Sequence, residues 1–322
     1  MSLRHVGDWE NRPEACSYTE FADVAVGEGD RVLGLTREPG RVLVFEADGK
    51  FVRSFGEGIL GPRPHGITIA ADGRAFVVDE PNQAVRIFAA DGPLAETVGS
   101  PGEPSDTGAD DSLGGPALAR TIARAAGPFH NPTKVAFAPD GSFYVSDGYG
   151  NARVHHFDPA GGLMHSWGEP GQGSGQFFLV HCVAVLRDGR VLVVDRENDR
   201  LQVFSATGRH LATWAVVQHP ASIAEDADRH VYIGELPYKV GDISTRFGRL
   251  TSDMPAGVAV LDLDGRVIER FTDFVGPKGR QAITAPHGMA MDSHGSLYIA
   301  ETSLSATGRV HDRTLQKLTV AA

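Results

Sequence analysis

The sequence predicts an all-β protein, a six-bladed β-propeller built from four-stranded repeats. Three observations predict it. Six segments share one hairpin pattern, several continue into third and fourth strand signals, and helical periodicity is missing between them. One four-stranded sheet cannot bury both of its faces, whereas sheets stacked radially bury them against each other. The 322 residues are therefore read as one propeller spanning 1–322.

The six units begin "FADVAVGEGDRVLGLTRE" at 21, "PHGITIAADGRAFVVDEP" at 64 and "PTKVAFAPDGSFYVSDGY" at 132. They continue with "VHCVAVLRDGRVLVVDRE" at 180, "PASIAEDADRHVYIGELP" at 220 and "PHGMAMDSHGSLYIAETS" at 286. Each pairs two alternating apolar strands across a turn, which in units 2, 3 and 4 is Asp-Gly, where glycine accepts a positive φ without a clash. Third strands follow in "AVRIFAADG", "RLQVFSATG" and "GVAVLDLDG", and fourth strands in "LAETVG" and "HLATW". The rhythm of "DGRAFVVDEPNQAVRIF" and "DGRVLVVDRENDRLQVF" resembles the NHL repeat, so the units are NHL-type.

Two insertions break the rhythm. Residues 99–128 form an acidic Gly/Pro-rich stretch with a short helix expected at about 116–126, and residues 236–256 interrupt the fifth unit. Insertions in a propeller tend to gather on one face, often the binding face. The last blade lacks a strand, and both "TLQKLTVAA" and "RHVGDWENR" are candidates for it.

Composition limits the partners. Hydrophobic residues make up 41% and charged residues 22%, and the 39 glycines and 19 prolines are spread as turns rather than clustered. A formal net charge of -11 argues against nucleic acid or an anionic membrane as main partner. No apolar run reaches the length of a membrane span, and the N-terminal stretch lacks a hydrophobic signal region. Only Cys16 and Cys182 are present, which gives no disulfide framework and suits a reducing cytoplasm.

Histidines recur in register. His65 precedes the first strand of unit 2, His181 that of unit 4 and His287 that of unit 6, while units 1, 3 and 5 carry Ala22, Thr133 and Ala221 there. Equivalent positions on every second blade lie at one height around the central axis and point toward one another. Three imidazoles suit Zn²⁺ or another divalent transition metal and leave a position open for water or substrate. The other histidines lack this register: His155 and His156 read as third-strand residues, and His5, His210, His219 and His311 as terminal or loop residues.

Just after the second strand the units present Arg37, Glu80, Tyr149 and Arg196. A tyrosine beside a metal can act as a base, and an arginine can neutralise a carboxylate or a developing oxyanion. Glu80 reads as a solvated rim residue or a partner in an ion pair. Asp79, Asp147 and Asp195 recur in register and read as structural, tying strands together through backbone hydrogen bonds.

Residues 131–204 resemble peptidyl-α-hydroxyglycine α-amidating lyase, through "YVSDGYGNAR", "WGEPGQGSGQF" and "DRENDRLQ"; the remainder matches through the repeat and the "PHG" motifs. The resemblance implies a six-bladed propeller whose central zinc is held by three histidines. It implies cleavage of a carbinolamide to a peptide amide and glyoxylate, with a tyrosine and arginines at the metal. By motif the metal ligands fall on His65, His181 and His287, the tyrosine on Tyr149, and the arginines on Arg196 and Arg37. The sequence also departs from that family. A cysteine after the tyrosine is Gly150, a methionine before the third histidine is Ala285, and an acidic residue of a structural calcium site is Gly288. The last of these argues against calcium.

The expectation is a metal-dependent lyase or hydrolase acting on a small carboxylate-bearing substrate. Tyr149 would be the base, and Arg196 and Arg37 would bind negative charge. The alternative is a non-catalytic NHL propeller that binds a ligand or protein on one face, although a scaffold has no need for the histidine register. A calcium-dependent lactonase-like propeller would need acidic and amide ligands on the axis, where the rim offers mainly His, Tyr and Arg.

Overall fold

The computed structural model describes residues 2–7, 9–272, 283–309 and 314–321. Six four-stranded antiparallel sheets form the blades of a propeller. Their innermost strands are Glu20–Val26, Gly66–Ile69, Pro132–Phe137, Val180–Val185, Pro220–Glu225 and Pro286–Met291. Turns such as Ala70–Arg74 close each hairpin. There Gly73 has φ +85° and donates its N–H to the Ala70 carbonyl at 2.9 Å, a conformation that a side chain would strain.

Burial follows position within the blade. The second strands, such as Ala75–Asp79 and Val191–Asp195, are buried at every residue because a neighbouring blade covers each face. Outer strands such as Phe51–Phe55 alternate between exposed and half-buried. Each of the six interfaces between blades holds its own apolar cluster: Val42, Val77 and Phe88 between blades 1 and 2, and Val194, Leu201 and Ile233 between blades 4 and 5. Phe88 is completely buried, and truncating such a residue to alanine costs about 3–5 kcal/mol.

Both termini complete the sixth blade. Leu315–Ala321 supplies its third strand, and Ser2–His5 pairs antiparallel with that strand as its fourth. The two candidates for ring closure are therefore used together. His5 and His210 lie in outer strands rather than loops, and His311 lies outside the described residues. The helix expected at 116–126 is shorter, Gly115–Ala119. Insertion 236–256 contains a small ladder, Ile243–Ser244 against Gly248–Arg249.

The recurring carboxylates at the ends of second strands bind backbone, as their register suggests. Asp195 accepts the Phe178 N–H at 2.9 Å and pairs with Arg200, while Asp147 accepts the His130 N–H and the Asn151 amide. Cys16 and Cys182 are free thiols, both buried. Among the described residues no helix is long and apolar enough to cross a membrane.

Candidate metal centre

A β-bulge places each channel-facing residue. In the inner strands of blades 1, 3, 4, 5 and 6 the register slips by one residue, so that Ala22, Thr133, His181, Ala221 and His287 are left outside the ladder. An extra residue of this kind bends the strand and re-aims its side chain, here toward the axis. In blade 2, His65 precedes the strand and its N–H reaches the Val78 carbonyl at 2.9 Å.

The ring atoms of His65, His181 and His287 converge, with ligand nitrogens all within 4.8 Å of one another and ring centroids 4.6–4.8 Å apart. Each Nδ1 lies against a backbone carbonyl: His65 on Thr133 at 2.9 Å, His181 on Ala221 at 2.7 Å and His287 on Ala22 at 2.7 Å. The acceptors are the residues that stand at the histidine position in the next blade. A carbonyl only accepts, so Nδ1 carries the proton and Nε2 keeps its lone pair. The Nε2 of His181 is buried with no hydrogen-bond partner, an arrangement that costs free energy unless a cation binds there. Burial holds all three imidazoles well below the ordinary value of 6.5; the charge of Arg196 adds to the effect at each of them, and that of Arg37 at His65 and His287. The histidines are thus neutral and oriented as ligands. The residues present fit a transition metal.

Tyr149 and Arg196 stand beside this cluster. The Tyr149 hydroxyl is 3.4 Å from His65 Nε2 and accepts a hydrogen bond from Arg196 Nη1 at 3.1 Å. Arg196 Nε donates to Glu197 at 2.9 Å, and Glu197 also meets His219 Nε2 at 3.2 Å. Burial alone would lower the Arg196 pKa; Tyr149 and Glu197 more than offset it and raise it overall. Burial likewise works against Glu197 as an anion, but Arg196 and His219 prevail and bring its pKa down to about 2. Arg37 is held differently, by Glu20 at 3.0 Å and Ser305 at 3.3 Å, and its Nε is buried without a partner.

Both insertions reach this group. Ala119 and Ile122 from the first pack with Leu179 against the Tyr149 ring. Tyr238 from the second stacks on His219 at 4.5 Å and 7°, with its hydroxyl on Asp199 at 3.0 Å. Glu80 is half-buried rather than solvated. Burial raises its pKa against the pull of Arg63 and Arg37.

The structure therefore brings His65, His181, His287, Tyr149 and Arg196 together and sets Arg37 nearby on Glu20. Sequence reasoning missed Glu197, His219 and Glu20. Glu197 was visible as the residue after Arg196 in "DREN". The strand pairing that sets Glu20 opposite Arg37 gave no signal in the sequence, and His219 looked like a loop residue.

Comparison with known proteins agrees with the repeat reading. The NHL-repeat family model matches residues 129–157 and 179–204. Peptidyl-glycine alpha-amidating monooxygenase A of Xenopus laevis is 29% identical over 74% of this chain, which covers 26% of that protein. A probable peptidyl-alpha-hydroxyglycine alpha-amidating lyase of Caenorhabditis elegans is 26% identical over 81% of this chain and 67% of its own length. The chain spans about a quarter of the length of the amidating monooxygenases it matches. Among solved structures a streptogramin B lyase superimposes with a TM-score of 0.57 at 11% identity, over 99% of this chain and 98% of that one, a likeness of fold. The chain carries NHL repeats on a six-bladed propeller and resembles the amidating lyases.

Proposed function

We propose that His65, His181 and His287 hold a divalent transition metal, zinc in the first instance, and that the protein is a metal-dependent lyase acting on a small α-hydroxyglycine-type carboxylate. The unpartnered Nε2 of His181 within the converging triad carries this reading. The metal, when bound, would polarise a substrate oxygen.

The chain's own groups supply the rest. Tyr149 takes the proton of the carbinol hydroxyl. The C–O bond becomes a carbonyl as the C–N bond breaks, and the proton finishes on the departing amide nitrogen. The products are an amide and glyoxylate, with no other reactant consumed. Arg196 donates to the Tyr149 oxygen, the atom that carries charge while its proton is away. Arg37 retains a free N–H for the substrate carboxylate. The same constellation would serve a hydrolase acting on a small ester or amide carboxylate. The two buried free thiols would suit a reducing cytoplasm.

The test is turnover of an N-acyl-α-hydroxyglycine by zinc-loaded protein, read as glyoxylate released in step with amide. Activity lost on chelation and restored by zinc supports the lyase. No turnover of hydroxyglycine derivatives or of small ester carboxylates contradicts it and favours the NHL scaffold reading, for which the repeat match itself speaks.

A further inference from the structure

The residues that follow the channel-facing positions are Asp23, Gly66, Lys134, Cys182, Ser222 and Gly288, and Asp23, Lys134, Cys182 and Ser222 line one small cavity with the three histidines. Two of them carry opposite charges and meet. The buried Asp23 carboxylate accepts the Ile67 N–H at 2.8 Å and the Val24 N–H at 2.9 Å, and it contacts the Lys134 ammonium directly. Lys134 Nζ also donates to the Ile67 carbonyl at 2.8 Å. The two glycines make room for this pair. A Cβ on Gly288 would stand 2.1 Å from Asp23 Oδ1, and one on Gly66 would stand 3.1 Å from Lys134 Cδ.

The Asp23 carboxylate thus fills the space of a side chain at 288, where the resemblance to amidating lyases calls for an acidic residue beside calcium. Calcium takes six to eight oxygen ligands. Here the Asp23 carboxylate and the Ile67 carbonyl are both turned to an ammonium, and a second cation beside it would be repelled. Among the described residues, the three histidines form the one group of three or more His, Cys, Asp or Glu side chains with converging ligand atoms. Calcium does not fit.

We propose that Lys134 is the built-in axial cation of this propeller. Its ammonium ties blades 1, 2 and 3 together beneath the histidines, and the chain holds one metal and is indifferent to calcium.

The experiment uses the full chain loaded with zinc in calcium-free buffer. Elemental analysis should find no stoichiometric calcium, and millimolar calcium should leave the Tm unchanged. Lys134→Met should lower Tm by about 5–10 °C, because it strands a buried carboxylate. Adding Asp23→Asn to that variant should recover a large part of the loss. Near-stoichiometric calcium in the wild type, a Tm that rises with calcium, or Lys134→Met unfolding no earlier than wild type would each overturn the proposal. Should Lys134→Met fail to fold, the double variant decides: recovery of folded protein supports the tie, and no recovery rejects it.

Discussion

His181 donates its Nδ1–H to the carbonyl of Ala221 at 2.7 Å and leaves its Nε2 buried without a partner. Ala221 occupies in blade 5 the position that His181 occupies in blade 4. The same relation joins His65 to Thr133 and His287 to Ala22. The alternation of histidine with non-histidine around the ring therefore has a physical basis, since every second blade supplies the ligand and the next supplies the carbonyl that orients it.

These histidines set a pH dependence. Burial lowers their pKa values in the folded protein, while in the unfolded chain they take up protons near pH 6.5. The stability that this neutral state represents is complete above that pH and is lost as pH falls below it. The slope approaches about 1.4 kcal/mol per pH unit for each histidine. Urea unfolding of metal-free protein at stepped pH checks this, and His181→Phe should flatten the slope.

Tyr149→Phe removes one hydroxyl and keeps the ring against Ala119, Ile122 and Leu179. Metal content should be unchanged, and stability should drop by about 1 kcal/mol. Turnover should fall about 100-fold or more, as expected for loss of a proton acceptor. Steady-state kinetics on zinc-loaded variants reads this out, and Arg196→Lys should show a comparable fall in kcat.

Glu197→Gln tests the support behind Arg196. The buried pair at 2.9 Å loses its charge, and Arg196 loses the anchor that aims it at Tyr149. The variant should lose about tenfold in turnover and, combined with Tyr149→Phe, should add little, because both act on one atom. Additive losses would separate Glu197 from Tyr149.

Deleting residues 1–6 removes the outer strand of blade 6 and the contact of His5 Nε2 with Gln316. The channel lies at the other edge of that blade, so the histidine cluster stays intact. Tm should fall by roughly 5 °C, while zinc content should hold. Differential scanning calorimetry beside elemental analysis reads both.

The blades were legible because their second strands are apolar throughout and end in turns, as in "AFVVD" and "VLVVD". The histidines were legible because the repeat supplied a register and three of six positions stood out against it. What stayed hidden depends on contacts distant in sequence. The Asp23–Lys134 pair spans blades 1 and 3, and Glu20 meets Ser305 across the junction of the first and last blades. The bulges that turn His181 and His287 inward leave no composition signal, since a single unpaired residue reads like any other strand residue.

The central claim is that three neutral, pre-oriented imidazoles form one metal site. Its most direct test is elemental mass spectrometry on untagged protein, wild type beside His181→Ala. The account predicts about one zinc or other transition metal ion per wild-type chain, and its loss from the variant. A wild type that holds no transition metal even after reloading would contradict it.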